Sequence, residues 1–87
     1  MDNKIVVSGI ITKIYRKKIK NNKTAAIFEL DDTRDTIKVL VFPKIYELSE
    51  TFLVEGEAVL VEGFAETDET SVLIADRITQ LNILEPT

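Results

Sequence analysis

The fold class predicted for this chain is all-β with one helix, closed as a five-stranded barrel. Three observations predict it. β-Branched and aromatic residues recur with a period of two in separate runs along the chain. Short polar turns join neighbouring runs, as in antiparallel hairpins. Between the third and fourth runs, one segment opened by Pro43 changes to helical spacing. The 87 residues make one domain. A chain this short buries only about 60% of its unfolded surface, and closing the sheet removes the edges that would otherwise need cover.

The first strand is expected over Ile5 to Tyr15, where Ile5, Val6, Val7, Ile10, Ile11, Thr12 and Ile14 are β-branched. Gly9 inside it predicts a bulge, a bend or a close backbone approach. The stretch YRKKIKNNK, Tyr15 to Lys23, follows as a loop with Asn21-Asn22 as its turn pair, because Asn tolerates positive φ. The second strand is Thr24 to Asp31, with Ala26, Phe28 and Leu30 on one face and Ala25, Ile27 and Glu29 on the other. Asp31 to Asp35 is a polar turn. The third strand, Thr36 to Phe42, puts Ile37, Val39 and Val41 on one face and Lys38 and Leu40 on the other. A helix of roughly three turns is expected from Pro43 to about Leu53, because Ile45, Leu48 and Phe52 repeat at helical spacing. Glu57 to Glu66 reads as the fourth strand, Thr67 to Thr70 as an exposed acidic turn and Ser71 to Leu81 as the fifth strand. Ala75-Asp76-Arg77 interrupts the pattern of that last strand. Asn82 to Thr87 reads as a tail.

Strand, strand, strand, helix, strand, strand is the plan of the OB-fold, a small Greek-key barrel. Its predicted core is Val7, Phe28, Leu30, Ile37, Val39, Val41, Val59, Val61 and Ile74, with Ile45, Leu48 and Phe52 plugging one end. Phe42 is also expected inside. Tyr46 should pack with its hydroxyl at the surface.

Composition removes several function classes. There is no cysteine, so there are no disulfides and no thiolate chemistry, and there is no histidine, the commonest general base and zinc ligand. No glycine-rich phosphate loop or nucleophile elbow occurs. Asp31, Asp32 and Asp35 cluster, but Asp favours turns and their spacing matches no ion-binding loop. No catalytic residue, metal or cofactor is expected. No apolar run approaches the ~18 residues of a membrane span, and the N-terminus lacks the apolar stretch of a signal peptide. A soluble, cytoplasmic protein is the expectation.

Binding remains, and the charge distribution says where. The formal net charge is −4, yet residues 1–28 hold seven of the eleven Lys and Arg and only one of the fifteen acids. Single-strand binders of this fold pair a basic groove with aromatic faces on which bases stack. The surface they use combines strands two and three with the loops joining strands one to two and four to five. The candidate phosphate contacts are Arg16, Lys17, Lys18, Lys20 and Lys23 on the first loop, Lys13 on the adjoining strand and Lys38 on the outer face of strand three. Tyr15 and Phe64 have the parity to point outward and stack a base. Lysines at a hairpin tip also serve solubility and discourage edge pairing, so this stretch has a bland explanation beside the functional one. The acidic turn at 67–70 would repel phosphate, leaving a one-sided groove.

Three segments, VVSGIITKI, AIFELDDTRDTIKVLVFPKIYE and LVEGEAVLVEGFAE, resemble the OB domain of the bacterial replicative DNA polymerase III alpha subunit. The resemblance spans residues 5–81. Phe28, Leu30 and Asp32 form an F-x-L-x-D pattern common to many nucleic-acid-binding OB domains, those of aminoacyl-tRNA synthetases included. The run from Val41 through Phe42 and Pro43 to Tyr46 points to the polymerase. Two turns depart from the family, with Asp35 and Asn22-Lys23 where glycines are common. The resemblance implies a template-strand-binding module, non-catalytic by itself, excised from a longer DNA-directed DNA polymerase. Its partners would be single-stranded DNA, with other polymerase domains or replisome subunits as alternatives. A protein-interaction module, or a tRNA- or RNA-binding OB domain, are the rival functions.

Overall fold

The computed structural model describes residues 4–65 and 72–81. They form a closed barrel in the order β1-β2-β3-β5-β4 with one short helix. The strands are β1 (Lys4–Lys18), β2 (Thr24–Asp31), β3 (Thr36–Val41), β4 (Ala58–Ala65) and β5 (Val72–Gln80). Neighbouring strands are antiparallel except β3 and β5, whose parallel pairing (Lys38–Val72, Val39–Leu73, Leu40–Ile74) closes the barrel. The expected tail at 82–87 and the acidic turn at 67–70 lie outside the described residues.

β1 serves two partners. Lys4 to Ile10 pair with β4, and Ile10 to Lys18 pair with β2. The strand can change partner because Gly9 lets two backbones meet: a Cβ there would overlap the Asp31 carbonyl. The sequence expectation of a bend or close approach at Gly9 is met in this form. Gly63 does the same job where β4 crosses Ile74.

Two irregularities set which side chains face inward. Between Ile11 and Lys13 the register of β1 on β2 slips by one residue at Thr12. Ile11 is therefore opposite Leu30, and Ile14 opposite Phe28, although they are three apart. On β5, Asp76 is the extra residue between Ala75 and Arg77, opposite Gly63 and Glu62. This is the segment whose pattern the sequence interrupts.

The buried core holds Ile11, Phe28, Leu30, Val39, Val41, Leu53, Val59, Val61, Leu73, Ala75 and Ile78, with Ala26 and Tyr46. Most predicted core residues are in it. Val7 and Ile37 are only partly buried against it, and Ile74 faces outward. Ile74 was expected inside, but β5 turns Leu73 and Ala75 inward before its bulge and Ile78 after it.

The helical segment departs most from expectation. α1 spans only Pro43–Ser49, followed by a 3-10 turn at Glu50–Phe52. Phe42 precedes proline and is held extended (φ −78°, ψ 163°). Its carbonyl accepts the Tyr46 N–H, while its ring stays half exposed instead of entering the core. The buried positions are Tyr46, Ser49 and Leu53, with Ile45 and Phe52 partly covered. Leu48 is 73% exposed and plugs nothing. It stands two residues from Tyr46, which on a helix is close to the opposite face. The buried Ser49 hydroxyl is satisfied by donating to the Ile45 carbonyl at 2.8 Å. No helix among the described residues is long and apolar enough to cross a membrane.

Candidate nucleic-acid interface

The slip at Thr12 builds the outer surface. Before it, Ile5, Val7 and Gly9 point inward, and after it Ile14 and Arg16 do. Lys13, Tyr15 and Lys17 are thereby turned outward, opposite Glu29, Ile27 and Ala25 of β2. The Thr12 hydroxyl fills the gap in the ladder by donating to the Glu29 carbonyl at 3.2 Å.

Following the register across the barrel gives three outward rows. The central row runs Tyr15, Ile27, Leu40, Ile74, Phe64 and Lys4, crossing all the strands. With strands spaced ~4.8 Å apart, its two aromatics stand roughly 19 Å apart along the surface. Tyr15 is 61% exposed and Ile27 42%. On one side is the row Lys13, Glu29, Lys38. On the other is Lys17 beside Ala25. Tyr15, Lys17, Ile19, Ala25, Ile27 and Leu40 line an apolar groove of about 270 Å³.

The basic stretch is less of a loop than its sequence suggests. Tyr15, Arg16, Lys17 and Lys18 belong to β1, which continues to Lys18 because Lys17 and Lys18 pair with Ala25 and Thr24. Pairing of β2 with β3 ends at Ala26–Val41, so the β1–β2 hairpin projects past the end of β3. Only its tip is loop: Asn21 (φ 64°) and Asn22 (φ 60°) make the turn, as their residue type predicts. Ile19 N–H reaches the Lys23 carbonyl at 2.7 Å to close it. Lys20 and Lys23 are at this tip and exposed.

The predicted contacts divide in three ways. Tyr15, Lys13, Lys17 and Lys38 share the outer β1–β2–β3 face, with Lys17 on the side of the hairpin tip and Lys13 and Lys38 on the other. Arg16 has the opposite parity. Its Nε donates to Tyr46 Oη at 3.1 Å and its Nη2 to the Leu53 carbonyl, so its guanidinium binds the helical segment. Tyr46 is buried as a residue, and its hydroxyl is the acceptor of that bond from the exposed Arg16. Lys18 shares the parity of Arg16 but lies past the barrel wall, exposed. Phe64 is outward but at the far end of the central row. Lys4 Nζ sits 5.9 Å from its ring centroid and 3.1 Å from Asp76 Oδ2, a cation–π contact held by an ion pair.

Two things were missed from the sequence. Ile27 and Leu40 supply the aliphatic floor of the groove; the signal was their place on the strand faces assigned to solvent. Glu29 stands between Lys13 and Lys38, so that row carries a net charge of only about one.

The turn from β2 to β3 holds its own acids. Asp32 Oδ1 accepts the Arg34 and Asp35 N–H groups at 3.0 and 2.9 Å, and Asp31 Oδ1 accepts that of Thr33 at 3.0 Å. The bonds from Asp35 and Arg34 lower the Asp32 pKa below the usual carboxylate value. Among the described residues no cluster of three or more metal-ligating side chains occurs.

DNA polymerase III subunit alpha of Aquifex aeolicus is 36% identical over 67 residues, 77% of this chain. The same subunit of Saccharopolyspora erythraea is 35% identical over 72 residues, 83% of the chain. That of Buchnera aphidicola subsp. Schizaphis graminum is 32% identical over 65 residues, 75% of the chain. In each case the matched part is 6% of the relative's length. Among solved structures, the mitochondrial single-stranded DNA binding protein Rim1 of S. cerevisiae superposes with a TM-score of 0.73 at 17% identity, covering 93% of this chain and 96% of that one. The Plasmodium falciparum SSB, solved in complex with ssDNA, gives 0.66 at 19% identity, covering 92% and 95%. The yeast Stn1–Ten1 structure gives 0.74 at 20% identity, covering 92% and 43%. These likenesses show the barrel fold. A family model for the OB-fold nucleic acid binding domain matches residues 5–81, and the chain belongs to that family.

Proposed function

We propose that this domain binds single-stranded DNA on the outer β1–β2–β3 face, as a non-catalytic template-binding module of a DNA polymerase III alpha chain. The observation that carries this reading is the apolar groove of Tyr15, Ile27 and Leu40, bordered by outward Lys13, Lys17 and Lys38. Unstacked bases offer flat apolar surface while the backbone keeps its charge, so a dry floor with cationic borders suits a single strand. The alpha-subunit relatives support the same reading. Tyr15 stacks a base. Lys13, Lys17, Lys20, Lys23 and Lys38 meet phosphates. Arg16 is left with a structural role.

Affinity should be roughly micromolar or weaker at physiological salt, because few lysines border the groove and Glu29 cancels the charge of one of them. The test is titration of labelled oligo-dT by fluorescence anisotropy at several salt concentrations. Charge reversal at Lys17 or Lys38 should weaken binding and reduce the log–log salt slope by about 0.7 for each phosphate that is no longer neutralised. Glu29→Gln should tighten binding at low salt. Binding that is insensitive to salt and to both reversals would refute the proposal. Stronger competition by oligo-rU than by oligo-dT would assign the face to RNA instead.

A further inference from the structure

We infer that this face favours thymine-containing single strands over their uracil counterparts, through contact of the thymine C5-methyl with the aliphatic floor formed by Ile27 and Leu40. The inference rests on the single-strand reading above and adds a base preference to it. Tyr15, Ile27 and Leu40 are register partners on three adjacent strands, so they stand side by side at intervals of ~4.8 Å. A base stacked on Tyr15 therefore extends its edge over Ile27, toward Leu40.

The groove gives that edge little to hydrogen-bond. Ile19, Ala25, Ile27 and Leu40 carry no polar side-chain atom, so Tyr15 and Lys17 hold the only polar side-chain groups of the lining. Hydrogen-bond readout of base edges is thus weak here, and apolar contact is what remains to discriminate. Thymine and uracil differ only by the methyl group, and apolar side chains recognise that group. The lysines identify the occupant as a polyanion rather than an apolar peptide. They contribute equally to the two strands, because oligo-dT and oligo-dU carry the same phosphates.

The experiment is competition of unlabelled oligo-dT and oligo-dU, equal in length, against fluorescein-labelled oligo-dT on the unmodified protein. Oligo-dU should compete about fourfold less well, the factor associated with one buried methyl. Ile27→Ser and Leu40→Ser should bring the ratio toward one, while Tyr15→Ala should weaken both strands. Equal competition by the two strands on the unmodified protein would overturn the thymine preference and leave the single-strand reading standing. Absence of binding to either strand would overturn both. The comparison on the unmodified protein decides the matter even if a variant fails to fold.

Discussion

The Thr12 hydroxyl donates to the Glu29 carbonyl across 3.2 Å at the point where β1 gains one residue on β2. That extra residue decides which face of β1 is wet. Thr12→Val should keep the bulge and cost about 0.5–1.5 kcal/mol, the net worth of one hydrogen bond, measured by urea unfolding. Deleting Thr12 should remove the bulge and still leave Ile11 opposite Leu30 and Lys13 opposite Glu29, so Lys13, Tyr15 and Lys17 should stay outward and cooperative melting by circular dichroism should persist.

Arg16 should behave as a structural residue. Its guanidinium joins β1 to Tyr46 and to the Leu53 carbonyl, a fork that lysine cannot reproduce. Arg16→Lys should lower stability by about 1–2 kcal/mol, after allowance for its partial exposure, while oligo-dT affinity changes little. A large loss of affinity with unchanged stability would instead return Arg16 to the DNA-binding set.

The β2–β3 turn should weaken in acid. Asp32 has a folded pKa below its unfolded value of about 3.9, because its carboxylate accepts the Asp35 and Arg34 N–H groups. A lowered carboxylate pKa stabilises the fold above the unfolded pKa, and that contribution is lost as pH falls through the folded one. The stability lost below about pH 4 should therefore be smaller in Asp32→Ala than in the unmodified protein. In the same turn Thr33, a β-branched residue, holds φ at 80°. Thr33→Gly should stabilise by about 0.5–1 kcal/mol, the strain relieved less the added chain entropy. Thermal unfolding across pH checks both.

Gly9→Ala should destabilise by about 1–3 kcal/mol, since its Cβ would strike backbone rather than a movable side chain. Gly63→Ala should behave alike against the Ile74 carbonyl. Gly56→Ala meets open space, but at φ 95° its cost is conformational. Chemical denaturation of the three variants separates steric from backbone strain.

Local patterning was enough to read the succession of strands along the chain, the helix start at Pro43 and the inward face of β2, β3 and β4. These features depend on neighbours one to four residues apart: period-two alternation, a residue held extended before proline, and Asn in a tight turn. The same local rules mark Ile27 and Leu40 as apolar residues on a solvent face, without saying that they meet. That Tyr15, Ile27 and Leu40 form one groove, that Lys13 and Lys38 share Glu29, and that Arg16 turns away to Tyr46 follows from the folded arrangement of the strands. The physical reason is register. A one-residue bulge at Thr12 reverses the parity of everything after it, and cross-strand partners nine or more residues apart are joined by hydrogen bonds that no local pattern encodes. Leu48 and Phe42 teach the same lesson on the helical segment: hydrophobicity gave each a claim on the core, and the facing of one short helix gave the place to Tyr46, Ser49 and Leu53.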